Sequence, residues 1–225
     1  MAENKDQIIL NVVRSFLLDN DYEDGESIDV HHSFRKWKND FLLNIYVNLN
    51  TSGWMEFSRI NIHFPIVEQE ILALEPPGMN WSSYLKGESF FPTISDRKSV
   101  LAYNTKKNPV ETEEHGLQFA QSVIKYMKNE GRQFEEHYSY LPNVLKEMDK
   151  LEKDGKYWYE ILGGGGAYIF RGLIISKLCN DNDFERKLEK ASEIYNDADN
   201  NPELWVPYFE KLKEKLKTIE PKYNL

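Results

Sequence analysis

The stretch Phe41-Leu42-Leu43-Asn44-Ile45-Tyr46-Val47-Asn48-Leu49 decides the fold class. Phe41, Leu43, Ile45, Val47 and Leu49 recur at every second position, with Asn44, Tyr46 and Asn48 between them. A period of two sends alternate side chains to opposite faces of a strand. One face therefore packs on a core and the other carries polar groups, as in an antiparallel sheet. Upstream, Ile28, Val30, His32 and Phe34 alternate with Asp29, His31, Ser33 and Arg35, and Lys38-Asn39-Asp40 supplies a turn, which predicts a hairpin partner. Downstream, Asn50-Thr51-Ser52-Gly53 reads as a second turn and Trp54 to Phe64 as a third strand with a bulge near Ser58. Val100, Leu101, Ala102 and Tyr103 suit a fourth strand over 99–105, stopped by Asn108-Pro109.

Around this sheet the period changes to that of a helix. Ile8, Ile9, Val12, Val13, Phe16 and Leu17 predict a helix over 6–19, followed by an acidic turn from Asp19 to Glu26 closed by Gly25. Residues 75–98 hold Pro76-Pro77-Gly78, Gly87 and Pro92, and read as a long connection around a short helix. Leu117, Phe119, Ala120, Val123, Ile124 and Met127 mark a helix from Thr112 to Gly131. Another carries Leu141, Val144, Leu145, Met148 and Leu151, with Pro142 in its first turn. Three more are expected over 167–179, 183–197 and 202–219, the last capped by Asn201 with Pro202 as first helical residue. Segregated strand and helix runs specify an α+β protein. A helix plus antiparallel sheet of about four strands fills residues 1–107, and a mostly helical region fills 108–225, packed together as one globular unit.

Composition narrows the partners. With 28 Lys and Arg against 37 Asp and Glu, the net charge of -9 repels nucleic-acid phosphate and anionic lipid, and it favours a basic protein partner. Cys179 is the only cysteine, so neither an intrachain disulfide nor a cysteine-rich zinc site can form, and a cytoplasmic location fits. No apolar run is long enough to cross a bilayer.

Chemical motifs are sparse. The four glycines Gly163, Gly164, Gly165 and Gly166 precede a helical segment that carries Arg171. Such a loop at a helix N-terminus admits two readings. One is a cradle for the phosphate of a nucleotide or other small molecule, with Arg171 as clamp; the other is a close structural crossing or hinge. The companions of a Walker loop or a dinucleotide fingerprint are missing, which favours the structural reading. His115 and His137 each end a Glu-Glu-His triplet, but neither provides the histidine pair at i and i+4 of a zinc helix. The acidic stretches 19–26 and 196–201 fail the register of a calcium loop. Cys179 closes an apolar helical run and reads as an inert buried thiol. No metal, cofactor or catalytic residue is expected; the leading reading is non-enzymatic, and its alternative is a nucleotide- or phosphate-binding protein or enzyme with its site at the glycine loop 163–166. Partner-binding residues are expected at Asp21, Glu23 and Asp24 in the acidic turn, with Trp81 and Tyr84 as aromatic anchors. Self-association through a sheet edge or helices is a third reading.

The order of an N-terminal helix, the strands Ser33-Phe34-Arg35-Lys36-Trp37, Phe41 to Asn50 and Arg59-Ile60-Asn61-Ile62, and a helical end with Arg171-Gly172-Leu173 resembles uncharacterised bacterial α+β proteins. Some of those are similar to immunity proteins encoded beside secreted toxins. The resemblance implies a protein that neutralises a toxin by binding it, and it assigns no functional residue.

Overall fold

A computed structural model describes residues 5–28, 30–49, 55–87 and 89–224. The turn expected at Asn50 to Gly53 and the aromatic Trp54 lie outside the described residues. The chain is α+β, with an N-terminal helix, an antiparallel sheet and a mostly helical C-terminal half. It divides into two compact units, Met1–Ile62 with Asp96–His137, and His63–Ser95 with Tyr138–Leu225.

In the first unit, helix α1 (Lys5–Leu18) buries Ile9, Val13 and Leu17, a stripe spaced by four residues, and packs on α4 (Glu113–Lys128). Strands β1 (Glu23–Ile28), β2 (His31–Trp37) and β3 (Leu42–Leu49) form a meander, and β4 (Met55–Phe57) pairs with β3. The β2–β3 register sets Phe34 opposite Ile45 and His32 opposite Val47. Leu43, Ile45 and Val47 are buried as the alternation predicts, but so are Leu42 and Asn44 on the opposite face. Asn44 is accommodated there by donating its side-chain N–H to the Tyr46 hydroxyl at 2.7 Å.

Four expectations are corrected here. The acidic stretch is a turn only through Asp21; from Glu23 it is β1, paired to β2 with an irregularity between Asp24 and Ser27. Residues 99–105 form no strand. Their surroundings are tied by side-chain turns, with Asp96 Oδ1 accepting from the Lys98 and Ser99 amides and Asn104 Oδ1 from the Lys106 and Lys107 amides. The single helix over 112–131 is two. Thr112 caps α4 by accepting from the His115 amide, the backbone departs from helical geometry at Asn129, and α5 runs Glu130–Tyr138. Gly131, read as a terminator, lies inside α5, where a side chain would collide with Tyr126 and Ile60. The strand expected from Trp54 to Phe64 is broken near the foreseen bulge: β4 ends at Phe57, and β5 (Asn61–His63) follows a turn at Arg59.

The second unit is built around α7 (Tyr168–Leu178), whose residues 169–176 are all buried. A helix apolar on every side must be surrounded. Packed on it are α2 (Pro65–Leu74), α6 (Leu141–Lys153), α8 (Phe184–Asn196) and α9 (Pro202–Leu216). Helix α2 was not anticipated, although Pro65 at its first position is a start signal. Helix α3 (Ser82–Leu85) is the short helix of the long connection, and β6 (Ile94–Ser95) bridges to Leu162. Pro202 opens α9 as expected. Asn201 takes the cap position in a left-handed conformation without a side-chain cap bond.

Glu152 on α6 accepts from Arg186 and Lys190 on α8, both at 2.8 Å. The Arg186 hydrogen bond leads the causes that hold its carboxyl at about 2, below its ordinary 4.5. A depressed carboxyl stabilises the fold above its unfolded value and loses that contribution as pH falls towards the folded one. Acid titration of the midpoint between these values should therefore be flatter for Glu152→Gln than for the wild type, and identical curves would remove this pair from the acid response.

Candidate functional site

Of the acidic stretch 19–26, Asp19 and Asp21 lie in the turn before β1 and Glu23, Asp24 and Glu26 sit on β1, an edge strand. Strand order in the sheet places β1 at one end, beside β2 alone, so among the described residues its outer edge has no strand neighbour. Asp19, Asp21, Glu23, Asp24 and Glu26 are all exposed. Asp24 is gripped by Arg14, with contacts of 2.6 to 3.1 Å, and that hydrogen bond pushes its pKa down. Lys36 reaches Asp21 at 3.3 Å but spends its shorter bond on the Asn20 carbonyl, leaving the Asp21 carboxylate 87% exposed. Glu23 and Glu26 have no cationic partner among the described residues.

Trp81 and Tyr84 belong to the second unit and stand together. Trp81 is buried, its indole N–H donates to the Pro76 carbonyl at 2.8 Å, and its ring meets Tyr84 edge-on and Phe91 at a tilt. Tyr84 is half-buried against Phe91. These rings tie down the connection over 75–98.

Phe91 leads to the glycine loop. Its ring lies 4.4 Å from the Arg171 guanidinium, which is fully buried. Arg171 Nε and one terminal nitrogen donate to the two oxygens of Glu68 at 2.9 and 2.6 Å. The Thr93 hydroxyl donates to Glu68 at 2.7 Å and accepts from the Phe64 amide, and the Gly163 carbonyl lies 3.4 Å from the remaining guanidinium nitrogen. His63, buried beside them, donates Nδ1–H to the Phe91 carbonyl at 2.7 Å, and burial lowers its pKa, which favours the neutral ring.

Each described glycine contact has a steric cause. A Cβ on Gly163 would run into the Pro92 carbonyl, one on Gly164 into the Arg171 guanidinium, and one on Gly166 into the Trp205 indole. Gly164 also has φ +97°, a left-handed conformation. The loop and Arg171 are thus brought together, but the cation is already neutralised by Glu68.

The expected partner-binding residues leave out two exposed tyrosines. Tyr157 and Tyr159 are 60% and 44% exposed and stack at 5.6 Å, and Tyr168 meets Tyr159 edge-on. The adjoining cavity, lined by Trp158, Ile169 and Ala191, holds about 40 Å³, room for a few waters. A second buried cation, Lys187, is shared by Asp149 and Asp181. The Cys179 thiol is buried and pushed up to about 12, which leaves it protonated and unreactive at neutral pH. Among the described residues, no group of three or more His, Cys, Asp or Glu side chains converges to hold a metal, and no helix is long and apolar enough to cross a membrane. Compared with protein-family models, curated proteins and solved structures, the chain matches none.

Removing Arg171 alone strands Glu68 without its cation. Arg171→Met should cost about 3 to 5 kcal/mol in denaturant unfolding, and Arg171→Met with Glu68→Leu should recover most of it. Gly164→Ala should cost more than about 1 kcal/mol, because it meets both a left-handed backbone and the guanidinium. A neutral Gly164→Ala would mean that the loop adjusts freely.

Proposed function

We propose that the chain is a non-enzymatic cytoplasmic binding protein that occludes a basic protein partner, in the manner of an immunity protein neutralising a bacterial toxin. The observation that supports this is the acidic turn and edge strand: five exposed carboxylates within 19–26, on and just before β1, which has no second strand neighbour among the described residues. Negative potential draws in a basic surface and speeds encounter, and an exposed strand edge can then pair with an extended segment of the partner. Like charges along β1 oppose the pairing of two copies of this edge, so the same residues favour a basic partner over self-association. The glycine loop offers less to a phosphate ligand, since Arg171 is enclosed and neutralised.

Affinity capture from the source cells, with the wild type and an Asp21→Lys, Glu23→Lys, Glu26→Lys variant at low and high salt, tests the reading. The wild type should retain a protein of positive net charge at low salt and lose it at high salt. The variant should associate about tenfold or more slowly with an unchanged melting midpoint, because exposed charges act on encounter more than on folding. A captured partner whose binding is indifferent to salt and to the three reversals would refute electrostatic recognition by β1.

A further inference from the structure

The first unit holds a cavity of about 470 Å³, within the size range of small-molecule sites. Its wall is formed by the end of β4, the turn that follows, the irregular segment 100–106 and Phe119 of α4. The Thr105 hydroxyl donates to the Met55 carbonyl at 2.8 Å and clamps that segment to β4. Met55, Phe57 and Phe119 are buried and supply an apolar floor, while Arg59, Tyr103 and Lys106 line the cavity with polar groups.

Arg59 is unusual on three independent counts. Its φ of 62° is left-handed, a conformation costly for a residue with a long side chain. The other non-glycine residues with positive φ are Asp21, Asn180 and Asn201, whose short polar side chains tolerate it, and Glu75 at the end of α2. Neighbouring bonds enforce the conformation: the Ser58 amide donates to Tyr46, the Ile60 amide to the Tyr126 hydroxyl, and the Asp96 amide to the Ile60 carbonyl. Second, Arg59 has no ion-pair partner among the described residues. Third, its Nε is buried with no hydrogen-bond partner. The Tyr103 hydroxyl, on the same cavity, is likewise buried and unpaired. Both residues line the cavity, and their orphaned polar atoms leave hydrogen bonding that the chain does not satisfy. Of the charged groups on its wall, Arg59 and Lys106 outnumber Glu56.

We propose that this cavity binds a small organic oxyanion, a phosphate or carboxylate carried on an apolar body of ring size, with Arg59 and the Tyr103 hydroxyl as its donors. The apolar body rests on Phe57 and Phe119, and the oxyanion completes the hydrogen bonding that the chain leaves open. The backbone strain at Arg59 aims a cation that a relaxed residue would leave in solvent. This ligand site is separate in chemistry from the recognition of a basic partner.

The test is calorimetric titration and thermal unfolding at constant ionic strength with phenyl phosphate and with benzoate, against sodium chloride. One or both should bind the wild type and raise its midpoint, and whichever binds more tightly identifies the oxyanion. Arg59→Gly relieves the left-handed strain, so its unliganded midpoint should equal or exceed that of the wild type while its affinity falls about tenfold or more. Tyr103→Phe, which removes one oxygen and keeps the ring, should also weaken binding and provides the decision should the glycine variant fold poorly. No response of the wild type to either probe, or full affinity in both variants, would overturn the proposal.

Discussion

The second unit depends on one buried ion pair. Burying a guanidinium and a carboxylate costs several kcal/mol for each ion, and their attraction compensates only where every remaining donor and acceptor is met. Glu68 meets this condition with two bonds from Arg171 and one from Thr93. Its partner is covered by the Phe91 ring and the Gly163 carbonyl. The rest of the local structure follows from housing that pair. Thr93 must accept from Phe64 to aim its hydroxyl, Phe91 must lie flat on the guanidinium, and the chain at 164 must lack a side chain to leave the cation space. A glycine loop that looks like a ligand cradle thus makes room for an internal cation. The phosphate of the ligand reading has its counterpart in the Glu68 carboxylate.

How far such a structure can be read from sequence depends on where each constraint originates. The alternation in Phe41 to Leu49 is local and survives folding, as do the apolar stripe of α1 and the proline that opens α9. The partner of Arg171 lies 103 positions away, and nothing in either neighbourhood points to the other. The acidic stretch misleads for a related reason. Turn-forming residues such as Asp24 and Gly25 can join a strand when a partner strand offers a ladder, and β2 does so with Arg35 opposite Glu23. Over 99–105 the balance tips the other way. Apolar residues with strand propensity are flanked by Asp96 and Asn104, whose side chains take the backbone amides that a ladder would use. The site was visible as charge but not as geometry. Tyr157 and Trp81 look alike in sequence, yet only the former keeps most of its surface in solvent.

An exposed strand edge carries a risk of unwanted pairing, and β1 answers it with carboxylates and an irregular register. Those features also define what the edge can accept. Another acidic or neutral strand gains backbone hydrogen bonds but either meets repulsion or finds no charge complement. A basic strand gains both terms. Specificity of this kind comes from the rejection of alternatives as much as from attraction to the partner. Arg14, Lys36 and the cross-strand Arg35 temper the field without cancelling it, since Glu23 and Glu26 form no ion pair among the described residues.

The two arginines show how differently the chain treats the same side chain. Arg171 lies in the middle of an apolar helix, where the backbone is relaxed and all the cost is desolvation, offset by a carboxylate of the same unit. Arg59 has the opposite arrangement: a strained backbone held by three flanking hydrogen bonds, partial access to solvent, and no ion-pair partner among the described residues. A cation needed only for stability would be expected to resemble the first, because strain without a compensating contact is a net loss. The persistence of the second arrangement is accounted for if the compensating contact is supplied from outside the chain.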